Sequence, residues 1–223
     1  MKKTAKLKVH PDQGMLLTPE DLAAGSDVAV LNRLSADVNA CIKCRRGELR
    51  TTFGACACLG EGPTQRPLIA FIGEGPTSGS ARDREAFTGK TWDLIEKMLR
   101  ALGLFREEVY ACNAMCCWDY QPPSPPEIAA CRPYLLEQLR AVRPQAIVCL
   151  GSIAARSLLE KNIALDHFRD RWWEWEKTPV RVTIHPSTVL SAEPQAQGYI
   201  KREMWVDMLE TLKILKLPPP KEQ

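Results

Sequence analysis

The sequence has no apolar run long enough to cross a membrane and no internal repeat, so neither a helical membrane span nor a solenoid array is expected. It also lacks an excess of charge of either sign. A net charge of +3 does not by itself argue for nucleic-acid binding, although a local basic groove on a nearly balanced protein is enough to track phosphates. The basic start (Lys2, Lys3, Lys6, Lys8) runs into Pro11, Asp12 and Gln13 rather than an apolar core. No signal peptide is expected, and the chain is read as cytoplasmic. What is present is 223 residues with 45% apolar content, enough for one substantial core. The expected organisation is a flexible segment over 1–26, one folded domain over 27–217 and a frayed tail over 218–223.

Four short apolar runs are each the right length for a strand buried on both faces: Leu68 to Gly73, Val109 to Met115, Ala146 to Gly151 and Val180 to Ile184. Amphipathic stretches separate them. Thr91 to Leu102 presents Trp92, Ile95, Leu99 and Leu102 at helical spacing, and Ser152 to Glu160 follows Gly151 directly. A helix opened by Pro125 and Pro126 runs to about Val142, with Pro133 expected to kink or restart it. Val28 to Val38 and Tyr199 to Leu215 complete the helical set. The alternation predicts an α/β fold, a three-layer α/β/α sandwich with a central, mainly parallel four-stranded sheet. Ligands of such sheets bind beyond the carboxyl ends of the strands. There the sequence places Gly73-Glu74-Gly75-Pro76 and His185-Pro186-Ser187, with Asn113 inside the second run.

Nine cysteines without an export signal point to metal ligation plus buried thiols rather than a disulfide framework. Cys41-x2-Cys44 is a compact clip. Cys117 and Cys131, separated by thirteen residues that include four prolines, can supply two more thiolates. Four cysteines suit [4Fe–4S] or zinc equally, and Cys56 and Cys58 form a competing local set with the same clip. Cys112 and Cys149, in strand-like runs, read as ordinary buried thiols. Side-chain alternation implies that only one of Cys116 and Cys117 faces a metal.

The segment GEGPTSGSARDREAFTGKT resembles the first motif of the family 4 uracil-DNA glycosylases, in which G-E-x-P-G is followed at fixed distance by F-x-G. Gly73, Glu74, Gly75, Pro76, Phe87 and Gly89 fall into its register without a gap. Asn113 with Cys117 resembles the family's T-N-x-x-K-C segment, PPEIAACRPYLLEQL the stretch with its last cluster cysteine, and HPSTVL its second motif. With Cys41-x2-Cys44 and a terminal helix through Lys201, Arg202, Trp205 and Asp207, the likeness spans about residues 35 to 215.

The resemblance implies a monofunctional DNA-repair hydrolase acting as a monomer on uracil-containing DNA, with no membrane partner. It also implies a [4Fe–4S] cluster on Cys41, Cys44, Cys117 and Cys131. Such an enzyme takes the nucleotide out of the stack before reacting. Phe87 is then the stacking residue, and the Asn113 amide reads uracil O4 and N3–H. His185 donates to the O2 that gains negative charge. Gly73, Gly75 and Pro76 shape the base site, Glu74 joins His185 and Asn113 as a candidate catalytic residue, Ser187 holds a flanking phosphate, and Leu190 presses into the gap left in the stack.

The chain departs from the family where an acidic pair should follow the first motif. Ser80 and Ala81 stand there, and Thr77 replaces the last glycine. Asp83 or Glu85 could substitute. A binding protein of the same fold with little turnover, a glycosylase preferring another deaminated base, and a zinc-stabilised module are the competing readings.

Overall fold

The computed structural model describes residues 24–53, 57–78, 86–169 and 171–220. Its centre is a five-stranded sheet of order β2-β1-β3-β5-β4, made of β1 (Ile69–Gly73), β2 (Val109–Asn113), β3 (Ala146–Leu150), β4 (Trp173–Trp175) and β5 (Thr178–Thr183). β1 pairs in parallel with β2 and β3, and β3 with β5, whereas β4 runs antiparallel along the edge of β5. The α/β expectation is met with one strand more than predicted. β4 escapes a search for apolar runs because its three residues alternate Trp-Glu-Trp and line only one neighbour.

Each of β1, β2 and β3 is buried at every position, as a strand covered on both faces must be. Ala70, Ile72, Cys112, Ile147, Cys149, Val180 and Val182 face one apolar cluster, shared with α1 (Ala24–Ala40), α4 (Pro125–Val142) and α5 (Ser152–Leu159). Ile69, Phe71, Val109, Ala111, Val148 and Leu150 face the other, shared with α3 (Gly89–Ala101) and α8 (Pro194–Ile214). Two helical layers thus close the sheet. Full burial of a side chain such as Phe71 or Ile72 contributes about 1.5–3 kcal/mol.

The remaining helices are short: α2 (Arg45–Phe53), α6 (Leu165–Arg169) and α7 (Pro186–Ser191). α7 was not expected from the sequence. α4 starts with a capping box, the Ser124 N–H and Oγ both donating to Glu127 Oε2, and continues through Pro133 as a single helix rather than restarting. Among the described residues no helix is long and apolar enough to cross a membrane.

The strand order reverses direction around β1, so the carboxyl ends of β1, β3 and β5 open onto a common crevice. Pairing extends past the strand ends there: the Ala114 N–H donates to the Gly73 carbonyl at 2.9 Å and the Met115 N–H to the Glu74 carbonyl at 2.9 Å. The two backbone segments carrying the candidate base-binding residues are therefore held in register.

Candidate active site

The crevice contains a cavity of about 230 Å³, and Glu74, Gly75, Pro76, His185 and Ser187 all line it. Gly73 and Asn113 sit just behind its wall. A side chain at Gly73 would come within 2.4 Å of Asn113 Oδ1 and 2.7 Å of Phe87 Cζ, so only glycine lets these two groups converge over the strand end. The Asn113 Nδ2 donates to the Ala86 carbonyl at 2.7 Å, which fixes the amide plane and leaves Oδ1 and one N–H for another partner. Phe87 is buried rather than on the cavity wall, its ring 5.5 Å from Trp92 and tilted by 38°.

His185 follows β5 and caps α7. Gly151, at φ +88°, brings the end of β3 against it, and a Cβ there would lie 3.1 Å from the His185 Cβ. The Ser187 N–H donates to His185 Nδ1 at 3.2 Å, and Ser187 Oγ lies 2.6 Å from the same nitrogen. With Nδ1 accepting, a neutral ring carries its proton on Nε2. Burial also pushes the imidazole pKa down to about 4, so the ring is neutral at physiological pH. The pair forms a neutral N–H donor of fixed tautomer. In this arrangement Ser187, expected at a phosphate, uses its hydroxyl to hold the histidine. Leu190, 43% exposed, lies one turn further along α7.

Burial raises the Glu74 carboxyl above its usual range, opposed by the field of Arg46. Thr77 Oγ1 lies 3.3 Å from Thr88 Oγ1, joining the two ends of the first motif. Ser80, Ala81, Asp83 and Glu85 lie outside the described residues.

A family model described as the uracil DNA glycosylase superfamily matches residues 59–212. The chain belongs to the uracil-DNA glycosylase superfamily. Among its relatives, the type-4 uracil-DNA glycosylase of Archaeoglobus fulgidus is 30% identical over 170 residues, covering 72% of this chain and 83% of that protein. The type-4 enzyme of Thermotoga maritima is 32% identical over 161 residues, 65% of this chain and 83% of its own. That of Saccharolobus solfataricus is 30% identical over 175 residues, 74% and 79% respectively.

A second cavity in this superfamily member is lined by Cys41, Cys44, Cys116, Cys117 and Cys131. Cys117 opens the loop before α4 and Cys131 lies within α4, while Cys41 and Cys44 immediately precede α2. Burial pushes the Cys117 thiol up to about 11, with neighbouring Cys131 adding to it and Arg50 opposing, and Arg50 also donates to the Cys41 carbonyl at 3.1 Å. The Cys116 N–H donates to Cys131 Sγ at 3.3 Å. Cys116 and Cys117 thus share one cavity, contrary to strict alternation, because β2 ends at Asn113 and the chain bends through both. Cys58 does not line this cavity; it is buried with its amide on the Cys116 carbonyl, and Cys56 lies outside the described residues. Cys112 and Cys149 are buried strand thiols, Cys112 pushed up to about 12 by burial. Among the described residues no three metal-ligating side chains already form a mononuclear site.

Three polar wall residues were not singled out from the sequence. Arg46 is 3% exposed and lines both cavities; it donates to the Gln121 carbonyl, and its Nε lies 3.5 Å from Glu127 Oε1. Asp119 and Gln121 also line the base cavity, Asp119 paired with Arg45. No motif marks them.

Proposed function

We propose that the chain flips uracil out of DNA and hydrolyses its glycosidic bond, leaving an abasic site. The observation that carries this reading is the neutral His185 ring, held with its Nε2–H available at a cavity walled by Glu74, Gly75 and Pro76. As the bond to the sugar breaks, charge collects on uracil O2. A fixed neutral donor stabilises that charge more than it stabilises the intact nucleotide. The remaining Asn113 amide groups match uracil O4 and N3–H, a pair that cytosine reverses. Phe87 closes the base site from behind Gly73. Glu74, with its pKa raised by burial, is the wall carboxylate suited to orient the attacking water. No lysine lines the cavity among the described residues, which supports hydrolysis without Schiff-base strand cleavage. The cytoplasm, where thiols stay reduced, suits nine cysteines.

The converging thiols of Cys41, Cys44, Cys117 and Cys131 fit a [4Fe–4S] cluster, with Arg50 hydrogen-bonded at two of the four ligand positions. Such a cluster would cross-link the segment before α2 to the loop leading into α4 and to α4 itself. Anaerobically purified protein is expected to contain iron and sulfide in equal amounts. Cys117→Ser should lose both and unfold more readily, whereas Cys58→Ser should keep its iron. Loss of iron from Cys58→Ser alone contradicts the ligand set.

The test of the histidine's role is the pH profile of single-turnover uracil release. An imidazole whose pKa is depressed to about 4 keeps its donor unchanged from pH 8 to 5 and loses neutrality only as pH approaches 4. The same sign applies to stability: the neutral ring's contribution is complete above the unfolded value of about 6.5 and is lost as pH falls towards the folded one. The expected profile shows no inflection from His185 near neutrality. An inflection near 6.5 that disappears in His185→Gln places a titrating, solvated histidine at the site and overturns the assignment.

A further inference from the structure

The loop between Cys117 and α4 is clamped at alternate residues. Asp119 is ion-paired to Arg45 with its side chain only 4% exposed, and the Gln121 carbonyl accepts from Arg46. The Ser124–Glu127 box then closes the loop onto the helix. The same positions, Asp119 and Gln121, with Pro123, form a wall of the base cavity. The residues that alternate with Asp119 and Gln121, Trp118 and Tyr120, are aromatic. Their rings meet edge to face, centroids 4.3 Å apart at 64°, and Tyr120 is 83% exposed.

Two large aromatic rings are therefore displayed by a loop that the Arg45–Asp119 ion pair and the Arg46–Gln121 hydrogen bond hold in place. We propose that Trp118 and Tyr120 form a stacking platform for the unpaired base next to the flipped uracil on the same strand. This rests on the reading that the cavity takes its base from DNA. Three arguments favour a base as the occupant. The platform is continuous with the cavity wall, because Asp119 and Gln121, which line the cavity, alternate in sequence with Trp118 and Tyr120. A base on the platform is thus next to the one in the cavity. Extruding one nucleotide removes a stacking partner from the next, and an aromatic face replaces it whatever the base. The edge-to-face contact leaves the exposed Tyr120 ring with open surface for such a partner. The platform acts on single strands, where the flanking base has no complementary partner to hold it.

The experiment measures the affinity of the full chain for a fluorescein-labelled single strand carrying an abasic analogue, beside uracil release from the matching uracil strand. Tyr120→Ala should weaken strand binding about five- to 150-fold, the usual loss for one base–aromatic stack. Trp118→Ala should do the same, Tyr120→Leu should behave like Tyr120→Ala, and Tyr120→Phe like wild type. Inhibition by free uracil and the thermal midpoint should not change in the Tyr120 variants, because Tyr120 is exposed and the contacts of Asp119 and Gln121 that clamp the loop remain. Wild-type binding by Tyr120→Ala and Trp118→Ala overturns the platform, and so does wild-type binding by Tyr120→Leu, which would reduce the contact to apolar area of the kind a protein partner covers. If wild type binds the strand, with the stated losses in the variants, but releases no uracil, the platform stands and the glycosylase reading fails. If all variants bind and release uracil as wild type does, the reverse holds.

Discussion

Replacing His185 with alanine slows single-turnover uracil release by about 100- to 1,000-fold, the usual cost of one donor aimed at developing negative charge. Affinity for DNA is largely kept, because most of that affinity comes from phosphate contacts elsewhere. The size of the loss follows from preorganisation. Ser187 fixes the tautomer from two directions, Gly151 seats the ring against β3, and burial keeps it neutral, so no reorganisation is required as the bond breaks. His185→Gln, which retains an N–H of different reach, should recover part of the rate. Unchanged release by His185→Ala removes the imidazole from the mechanism.

Asp207→Ala destabilises the fold by about 3–5 kcal/mol, the range for removing one partner of a buried charge pair. Asp207 is 1% exposed and gathers three donors from two elements: Arg181 Nη2 at 2.7 Å, Arg169 Nε at 3.0 Å and Thr183 Oγ1 at 2.7 Å. Truncation leaves two arginines, each with a side chain no more than 15% exposed, without that carboxylate; Glu203 still pairs with Arg169. Domains of this size are stable by only about 5–15 kcal/mol, so the urea midpoint should fall sharply. Thr183 ends β5 two residues before His185, and the variant should also release uracil more slowly at temperatures where it remains folded. An unfolding free energy within about 0.5 kcal/mol of wild type would show that the network contributes nothing net.

The sheet was legible because β1 and β3 are continuous apolar runs and β2 is apolar up to Asn113, and a strand buried on both faces has little other composition available; in β5 only Val180 and Val182 carry the signal, alternating with Arg181 and Thr183. β4 was not legible, since three residues alternating Trp and Glu resemble many surface turns. In the site, Glu74, Gly75, Pro76, His185 and Ser187 could be located from two spaced motifs, and the fold brings all five to one cavity. Arg46 left no comparable signal. An arginine in a basic stretch is ordinarily solvated, and its burial depends on the Gln121 carbonyl 75 residues away and on Glu127. That Cys116 lines the same cavity as Cys117 was not legible for a related reason: alternation holds in strands, and the chain had already left β2. Long-range ion pairing and the point where a strand ends are tertiary facts that local periodicity does not carry.

The measurement that bears most directly on the account is product identity from a uracil-containing oligonucleotide, single-stranded and duplex, incubated with the cluster-loaded chain. Free uracil in amounts equal to alkali-labile abasic sites, with no strand breaks before alkali, is the predicted result. Tight binding of the uracil strand with neither product, or release of hypoxanthine or xanthine from the corresponding strands while uracil stays attached, contradicts it.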